Sequence, residues 1–336
     1  MTRSEAVGGL PVPVIAVESK AVRVRTTTCS FVIVSWNAEQ YLLEAIASIY
    51  SEWGADDAEV IVVDNDSSDG SAASVKECFP NVTVIVNESN EGFARGTNAG
   101  IAAASGDLLF LVNVDALLLP GSLDRMVEFM ESHPDVGLMG PRVLNTDRSL
   151  QRSARRRPTL ARAVARALAL DNLLPGLTFH AHAGTADVDV LSGAFWVVRR
   201  DSLEEVGGLD EGFFMYAEDL DWSFRFAASG WRVVYFSDAD VVHHGARSSA
   251  QAPVRFYVEM RRADLRYWRK HHGSPAMVVY ALVLIVHHSI RVGAALGQSL
   301  VPGMRAGGRG KLERSRAVIR WIIQSWFGLR PAEVPE

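Results

Sequence analysis

The chain has 336 residues, 48% hydrophobic and 22% charged, with a formal net charge of −5. That composition fits a globular protein with a sizeable core and excludes a disordered or collagen-like chain. Two cysteines, Cys29 and Cys78, are too few for a disulfide framework or a metal knuckle, and both are expected to be reduced thiols in or near the core. The charge is uneven. Residues 251–336 carry 14 Lys and Arg against five Asp and Glu, whereas the rest carries 20 against 34, an acidic body with a basic tail.

Residues 1–28 lack the apolar run of a secretory signal, so a cytoplasmic location is expected, and they form a lead-in, an extra strand or a flexible segment. CSFVIVSW, from Cys29, predicts a first strand. Leu42, Leu43, Ile46, Ile49 and Tyr50 then follow helical spacing. EVIVVD (Glu59 to Asp64), VTVIVN (Val82 to Asn87) and DLLFLVNVD (Asp107 to Asp115) predict three more buried strands, separated by helices over Ser71 to Cys78 and Phe93 to Ala104 and followed by one over Ser122 to Ser132. Strands apolar on both faces and alternating with helices indicate an α/β fold with a mostly parallel sheet. Such sheets bind ligands beyond the carboxyl ends of their strands. The polar clusters Asp64-Asn65-Asp66, Asn87 to Asn90 and Asn113-Val114-Asp115 fall there.

The second half is less regular. Arginines 152, 155, 156 and 157 crowd one stretch, which suits either a solvated loop or contact with an acceptor diphosphate. Val188 to Arg200 predicts a strand, a Gly- and aromatic-rich loop leads into a helix near Asp219, and RVVYF and ADVVHH predict two short strands. RFYVEMRRADLRYWRKHHG predicts a basic helix. The apolar run Ala276 to Val286 is too short to cross a bilayer, which takes about 20 residues. Ala317 to Gly328 places Val318, Ile322 and Trp326 on one stripe with arginines beside it. Such a helix suits an anionic membrane surface or docking on the body.

The acidic residues carry the chemistry. Asp64 alone reads as a turn former. Asp115 interrupts LLFLVNVDALLLP, and a carboxylate in so apolar a run needs a cation or donors; Mg²⁺ and Mn²⁺ take such oxygen ligands. Glu218, Asp219 and Asp221 open a helix, where the dipole favours carboxylates and clustering raises a neighbour's pKa, as a general base requires. His243 and His244 end a strand, where an imidazole serves either a metal or a half-exposed strand end.

These strings resemble the family 2 glycosyltransferases of the GT-A fold, in particular rhamnosyltransferase-like members of bacterial cell-surface polysaccharide synthesis. The segments are VIVSWNAEQYLLEAIASI, VIVVDNDSSDGS, NESNEGFARGTNAGI, LLFLVNVDALL and the long run from LSGAFWVV to VVHHGA. The resemblance implies a catalytic domain over residues 29–250, with a mixed, mostly parallel sheet flanked by helices, and a basic, amphipathic helical extension over residues 251–336. It implies that Asp64 and Asp66 hold the nucleobase end of the donor and that Asn90, Gly92, Phe93 and Asn98 shape the nucleotide-sugar pocket. Asn113 and Asp115 occupy the slot of an Asp-x-Asp metal motif, with Asn in place of the first acid. His243 is implied as second metal ligand, with His244 as the alternative, and Asp219, beside Glu218, as catalytic base. Ser192, Gly193 and Trp196 fall on the acceptor side.

The implied reaction is inverting transfer of a hexose, L-rhamnose from dTDP-L-rhamnose, with Mg²⁺ or Mn²⁺, to a lipid-linked or polysaccharide acceptor. It would take place at the inner face of the plasma membrane. A UDP-hexose or furanose donor, and a non-catalytic nucleotide-sugar-binding protein, are the alternatives. No nucleic-acid partner is expected, and self-association stays open. A nucleotidyltransferase would need a Gly-rich basic loop where SWNAEQYL stands, and a Rossmann dehydrogenase a GxGxxG after the first strand.

Overall fold

The computed structural model of the chain describes residues 27–168, 170, 173–180, 182–245, 252–299 and 305–326. Most of the N-terminal lead-in, the 250/251 boundary and the end of the last predicted helix therefore lie outside the described residues. In chain order the elements are β1 (Cys29–Ser35), α1 (Glu39–Trp53), β2 (Glu59–Asp64), α2 (Ser71–Cys78), β3 (Thr83–Val86), α3 (Phe93–Ala103), β4 (Leu108–Asn113), β5 (Ala116–Leu118), α4 (Ser122–Ser132) and β6 (Val136–Leu144). There follow β7 (Ala154–Arg155), α5 (Leu160–Ala167), β8 (Ala186–Asp187), β9 (Val190–Leu191), β10 (Phe195–Arg199), α6 (Arg200–Val206), α7 (Glu218–Ala228), β11 (Arg232–His243), α8 (Pro253–Ser299) and α9 (Arg305–Trp326).

The alternating strand pattern fixes the layers. Phe31 and Ile33 of β1 join Leu42, Ile46 and Ile49 of α1 in one core. Val32, between them, points the other way into a second core with Ala94 of α3, Trp196 of β10 and Trp222 of α7. A strand buried on both faces has no solvent side, hence the unbroken apolar runs. Among the described residues the main sheet runs β3-β2-β1-β4-β10-β6-β11-β5, with β8 also on β11. Strands β1 to β4 are parallel, β10 is antiparallel to both its neighbours, and β11 is parallel to β6. The mixed, mostly parallel α/β architecture is as the pattern predicts. In register, Ser35 faces Asp64 and Val34 faces Asn113, so the carboxyl ends of the first strands line up along one rim.

Four local readings are revised. Val188 to Arg200 is not one strand: β9 leaves the main sheet to pair with β7, and β10 joins β4, with Ser192 and Gly193 between them. RVVYF and ADVVHH are one strand, β11, carrying a register shift between Phe236 and Asp240 that absorbs the polar residues between the two apolar runs. The strand predicted to run to Asp115 ends at Asn113, and the turn there leads into an unpredicted strand, β5, which pairs with the end of β11. Cys29 is buried inside β1, but Cys78 is exposed at the end of α2.

A third apolar cluster docks the C-terminal helices. Phe213 and Leu220 pack with Tyr267, Trp268 and Leu284 of α8 and Val318 and Ile322 of α9. The first half of α8 is also tied electrostatically. Asp221 of α7, fully buried, meets Arg225 at 2.9 Å, Lys270 at 2.6 Å and His271 at 2.7 Å. Asp210 meets Lys270 and Arg266; burial raises its carboxyl, but hydrogen bonds from Lys270 and the Gly212 N–H, together with the charges of Lys270 and Arg266, bring it down to about 2. At Gly273 (φ 81°, ψ 170°) the helical path breaks just before Pro275, which has no N–H to continue the ladder. Beyond the break Val278, Val279, Leu282, Val286 and Ile290 are each 41–53% exposed at helical spacing.

Candidate active site

The rim of the sheet and the start of α7 enclose a cleft of ≈ 400 Å³, bordered by Phe93, Asn113, Asp115, Ser192, Glu218, Asp219 and His243 among others. Strand pairing explains why residues so distant in sequence meet there. Ala116 of β5 is in register with His243 of β11, which brings Asp115, the preceding residue, beside the imidazole. His243 Nε2 lies 3.2 Å from Asp115 Oδ1 and 3.3 Å from Asn113 Nδ2. The neighbouring His244 takes the other face of the strand, its ring against Tyr41. Alternation along β11 thus separates the two histidines, and only His243 borders the cleft.

Gln151 sets the histidine's tautomer. Its Nε2 donates to Asn145 Oδ1 at 2.9 Å and to the His243 carbonyl at 3.3 Å, so its Oε1, 2.7 Å from His243 Nδ1, accepts the Nδ1 proton. Nε2 is then left pointing at the Asp115 carboxylate, lone pair toward lone pair unless a second proton or a cation lies between. Burial raises the Asp115 carboxyl, but hydrogen bonding and electrostatic interaction with His243, together with backbone hydrogen bonds, more than reverse this, and the net shift is downward. A buried, ionised oxygen and an imidazole nitrogen directed at one point suit a divalent cation, with the second imidazole nitrogen anchored. Among the described residues no group of three or more His, Cys, Asp or Glu side chains is placed to hold a metal. A cation on this pair would take its remaining ligands from phosphate and water.

The other wall is built by strain. Tyr216 (φ 72°) and Ala217 (φ 60°) are two successive non-glycine residues in the left-handed region, each costing roughly 1–3 kcal/mol. The turn delivers Glu218 and Asp219 to the first turn of α7, facing the cleft. Asp219, 9% exposed, accepts from the Leu220 N–H at 2.8 Å and pairs through Oδ2 with Arg155 of β7. Glu218 is buried, its Oε2 has no hydrogen-bond partner, and burial together with the Asp219 charge pushes its pKa up to about 8. Both effects favour the protonated form of Glu218.

The remaining candidates divide. Asp64, 2% exposed at the end of β2, accepts from the Ser67 N–H at 3.2 Å and keeps Oδ1 buried without a partner. Asp66 is exposed on the following turn at φ 61°. Asn90 Oδ1 accepts from the Gly92 N–H, a local turn. Gly92 has φ 88°, and a Cβ there would lie 2.3 Å from the Phe214 carbonyl oxygen, so the loop before the carboxylates can close over α3 only with glycine at this position. Asn98 brackets the same loop through Leu209, accepting from its N–H and donating to its carbonyl, both at 2.9 Å. Trp196 is fully buried between Phe93 and Trp222 and supports Gly193 from below rather than lining the cleft. Asp64, Asp66, Asn90, Gly92, Asn98 and Trp196 are thus not on the cleft wall.

Two participants, Gln151 and Arg261, escaped sequence reasoning, since both enter from segments with no motif of their own. Arg155 was visible among the crowded arginines, but its pairing with Asp219 was not.

Residues 30–207 match the family described as "Glycosyl transferase family 2". The chain is 30% identical over 233 residues to the N-acetylglucosaminyl-diphospho-decaprenol L-rhamnosyltransferase of Mycobacterium tuberculosis, covering 64% of this chain and 76% of that one. It is 25% identical over 245 residues to a low-salt glycan biosynthesis hexosyltransferase of Haloferax volcanii, covering 70% and 74%. A mannosyltransferase of Pyrobaculum calidifontis, solved with GDP-Man and Mn²⁺, superposes with a TM-score of 0.57 at 17% identity, over 89% of this chain and 88% of that one. The fold is the GT-A fold.

Proposed function

Because the chain belongs to glycosyl transferase family 2, we propose that it moves L-rhamnose from dTDP-L-rhamnose to a hydroxyl of a lipid-linked glycan, inverting the anomeric carbon, with Asp219 as base. One observation carries the reading: the Asp115–His243 pair and the Asp219 carboxylate border a single cleft. The donor's identity draws support from the mycobacterial rhamnosyltransferase.

Asp64 would accept from a nucleobase or ribose, a reading supported by its unpartnered buried oxygen at the end of β2, and Asp66 belongs to the same loop. Asn90, Gly92 and Asn98 act by fixing the loop that shapes the pocket, and Phe93 forms part of its wall. Asp115 and His243 would hold a Mg²⁺ or Mn²⁺ ion, which when bound neutralises charge on the leaving diphosphate. Asp219 takes the acceptor hydroxyl proton as that oxygen forms its bond to the anomeric carbon. The bond from that carbon to the donor phosphate breaks in the same displacement, and the nucleoside diphosphate leaves with the electron pair. Glu218, in its protonated form beside it, spares the site a second buried negative charge. Ser192 and Gly193 border the acceptor side, with Trp196 beneath them.

Residues 29–250 would form the catalytic domain and 251–336 a membrane-facing extension at the cytoplasmic surface. The helix Pro253–Gln298 contains a stretch long and apolar enough to cross a membrane, of which 22% is buried in the fold. Docking of α8 through Tyr280 and Leu284 leaves its apolar outer face for the bilayer surface, with the basic tail favouring anionic lipid.

A thermal-shift screen of dTDP-, UDP- and GDP-sugars with Mn²⁺ tests the donor. A bound donor raises the melting temperature, and dTDP-rhamnose should raise it most. A larger shift with a UDP- or GDP-sugar would replace the rhamnose reading.

A further inference from the structure

Beside the cleft, and sharing Arg155, Arg166, Asp219, Arg261 and Asp264 with it among others, lies a larger cavity of ≈ 490 Å³. Six arginines line it from three separate segments: Arg152, Arg155 and Arg156 around β7, Arg162 and Arg166 one turn apart on α5, and Arg261 on α8. Two carboxylates face them. Asp219 pairs with Arg155, and Asp264 meets Arg261 at 2.8 Å. Among the described residues the other four arginines have no carboxylate partner. Arg152 lies over the Phe179 ring, while Arg156 and Arg162 donate to the carbonyls of Gly176 and Arg157. His287 adds no charge at neutral pH, because burial, with nearby arginines, holds its pKa down.

Four unmatched guanidinium groups around one recess repel one another, and an anion relieves that repulsion. The recess is partly dry: Arg261 is 8% exposed, and the Nε atoms of Arg155 and Arg261 are buried without partners. Its floor is apolar, formed by Leu220, Trp268 and Leu284. Planar guanidinium forks match the oxygens of carboxylates and phosphates, and of the two a phosphate or diphosphate brings more charge and more acceptor oxygens to four arginines. The volume suits a sugar diphosphate. Leu284 lines the cavity from the inner side of the same helix whose outer face carries the apolar stripe of Leu282, Val286 and Ile290.

We propose that this cavity is the subsite for a phosphate or diphosphate group on the acceptor, seating it so that the sugar it carries reaches Asp219. The proposal rests on the reading of Asp219 as the base and extends the recognition surface from the 152–157 stretch to α5 and α8. Phosphate chemistry is shared by free sugar phosphates and lipid-linked ones, which the experiment separates.

The full-length chain is titrated with inorganic pyrophosphate in EDTA, by calorimetry, alongside a variant carrying Arg152→Gln, Arg156→Gln and Arg162→Gln, which line only the larger cavity. Should that variant fold poorly, the pair Arg152→Gln and Arg162→Gln replaces it. Wild-type binding weakened at least ~10-fold in the variant, with dTDP binding in Mn²⁺ unchanged, supports the subsite. No pyrophosphate binding by the wild-type chain, or equal binding by the variant, overturns it. A second arm uses phosphatidylcholine vesicles containing polyprenyl diphosphate, and phosphatidylglycerol vesicles. Loss of the first with retention of the second supports a lipid-linked acceptor, whereas pyrophosphate binding with no preference for the diphosphate vesicles supports a free sugar phosphate. Loss of phosphatidylglycerol binding alone would make the arginines a membrane-surface patch and overturn the proposal. Arginine-dependent pyrophosphate binding in a chain that no nucleotide sugar protects would sink the donor chemistry and leave the anion subsite standing.

Discussion

The two walls of the cleft are built by different means. On the sheet side, Asn113 and Asp115 stand at the end of β4, a strand whose register is set by rows of backbone hydrogen bonds and by apolar residues facing two cores. On the helical side, Asp219 and Arg155, 64 positions apart, meet because a strained turn, a two-residue strand and a docked C-terminal helix converge. The first wall is rigid by repetition. The second depends on a few individual contacts, so single substitutions there should separate binding from chemistry.

The comparison breaks most sharply at Asp219. Asp219→Asn keeps the shape and removes the proton acceptor, so transfer should fall about 10³-fold while donor affinity, followed by calorimetry, stays within a factor of two. Full activity in that variant would remove Asp219 from the chemistry. Asp115→Ala should act in reverse, weakening Mn²⁺-dependent donor binding about 100-fold; donor affinity indifferent to Mn²⁺ and Mg²⁺ would dismiss the metal role. A smaller loss, roughly tenfold, is expected from Gln151→Leu, which frees the His243 ring to turn without touching a ligand atom. Equal metal affinity in that variant would show that the ring needs no anchor.

Away from the cleft, Leu282→Glu with Val286→Glu and Ile290→Glu should weaken sedimentation with phosphatidylglycerol vesicles about tenfold, since three exposed apolar contacts become repulsive. Unchanged sedimentation would move the membrane contact elsewhere. The subtlest effect concerns Glu218. A carboxyl whose pKa rises from 4.5 to about 8 on folding binds its proton more tightly in the folded chain. Its stabilisation is complete below pH 4.5 and is lost as the pH rises through about 8, a change on the order of a few kcal/mol. Glu218→Gln should remove that dependence, and its melting temperature should gain on the parent between pH 5 and pH 8. Parallel melting curves would mean that Glu218 is ionised throughout.

The sheet wall was largely legible in the sequence because strand periodicity ties position to direction. An unbroken apolar run that ends in a polar residue puts that residue at the rim, as at Asp64 and Asn113. The same rule left His243 and His244 undecided, since choosing between them needs the pairing with β5 that only the folded chain supplies. Asn98 and Trp196 were visible as motif residues, but the loop bracket and the buried support they form depend on Leu209 and Gly193, distant in sequence. Asp221 looked like a third member of the acidic cluster, yet it belongs to the ties of α8. No spacing rule links Arg155 to Asp219 or Gln151 to His243, so the helical wall had no periodic signature to find.

The turn at Tyr216 and Ala217 sets stability against activity at two adjacent positions. Ala217 is 5% exposed at φ 60°, ψ −4°, where glycine relaxes the backbone by roughly 1 kcal/mol and a β-branched residue is sterically excluded. In a saturation library at these sites, selection for heat resistance should enrich glycine and asparagine. Selection for turnover should hold the narrower set that keeps the turn stiff, so the two sorted pools would diverge at the pair of residues that sets the shape of the helical wall.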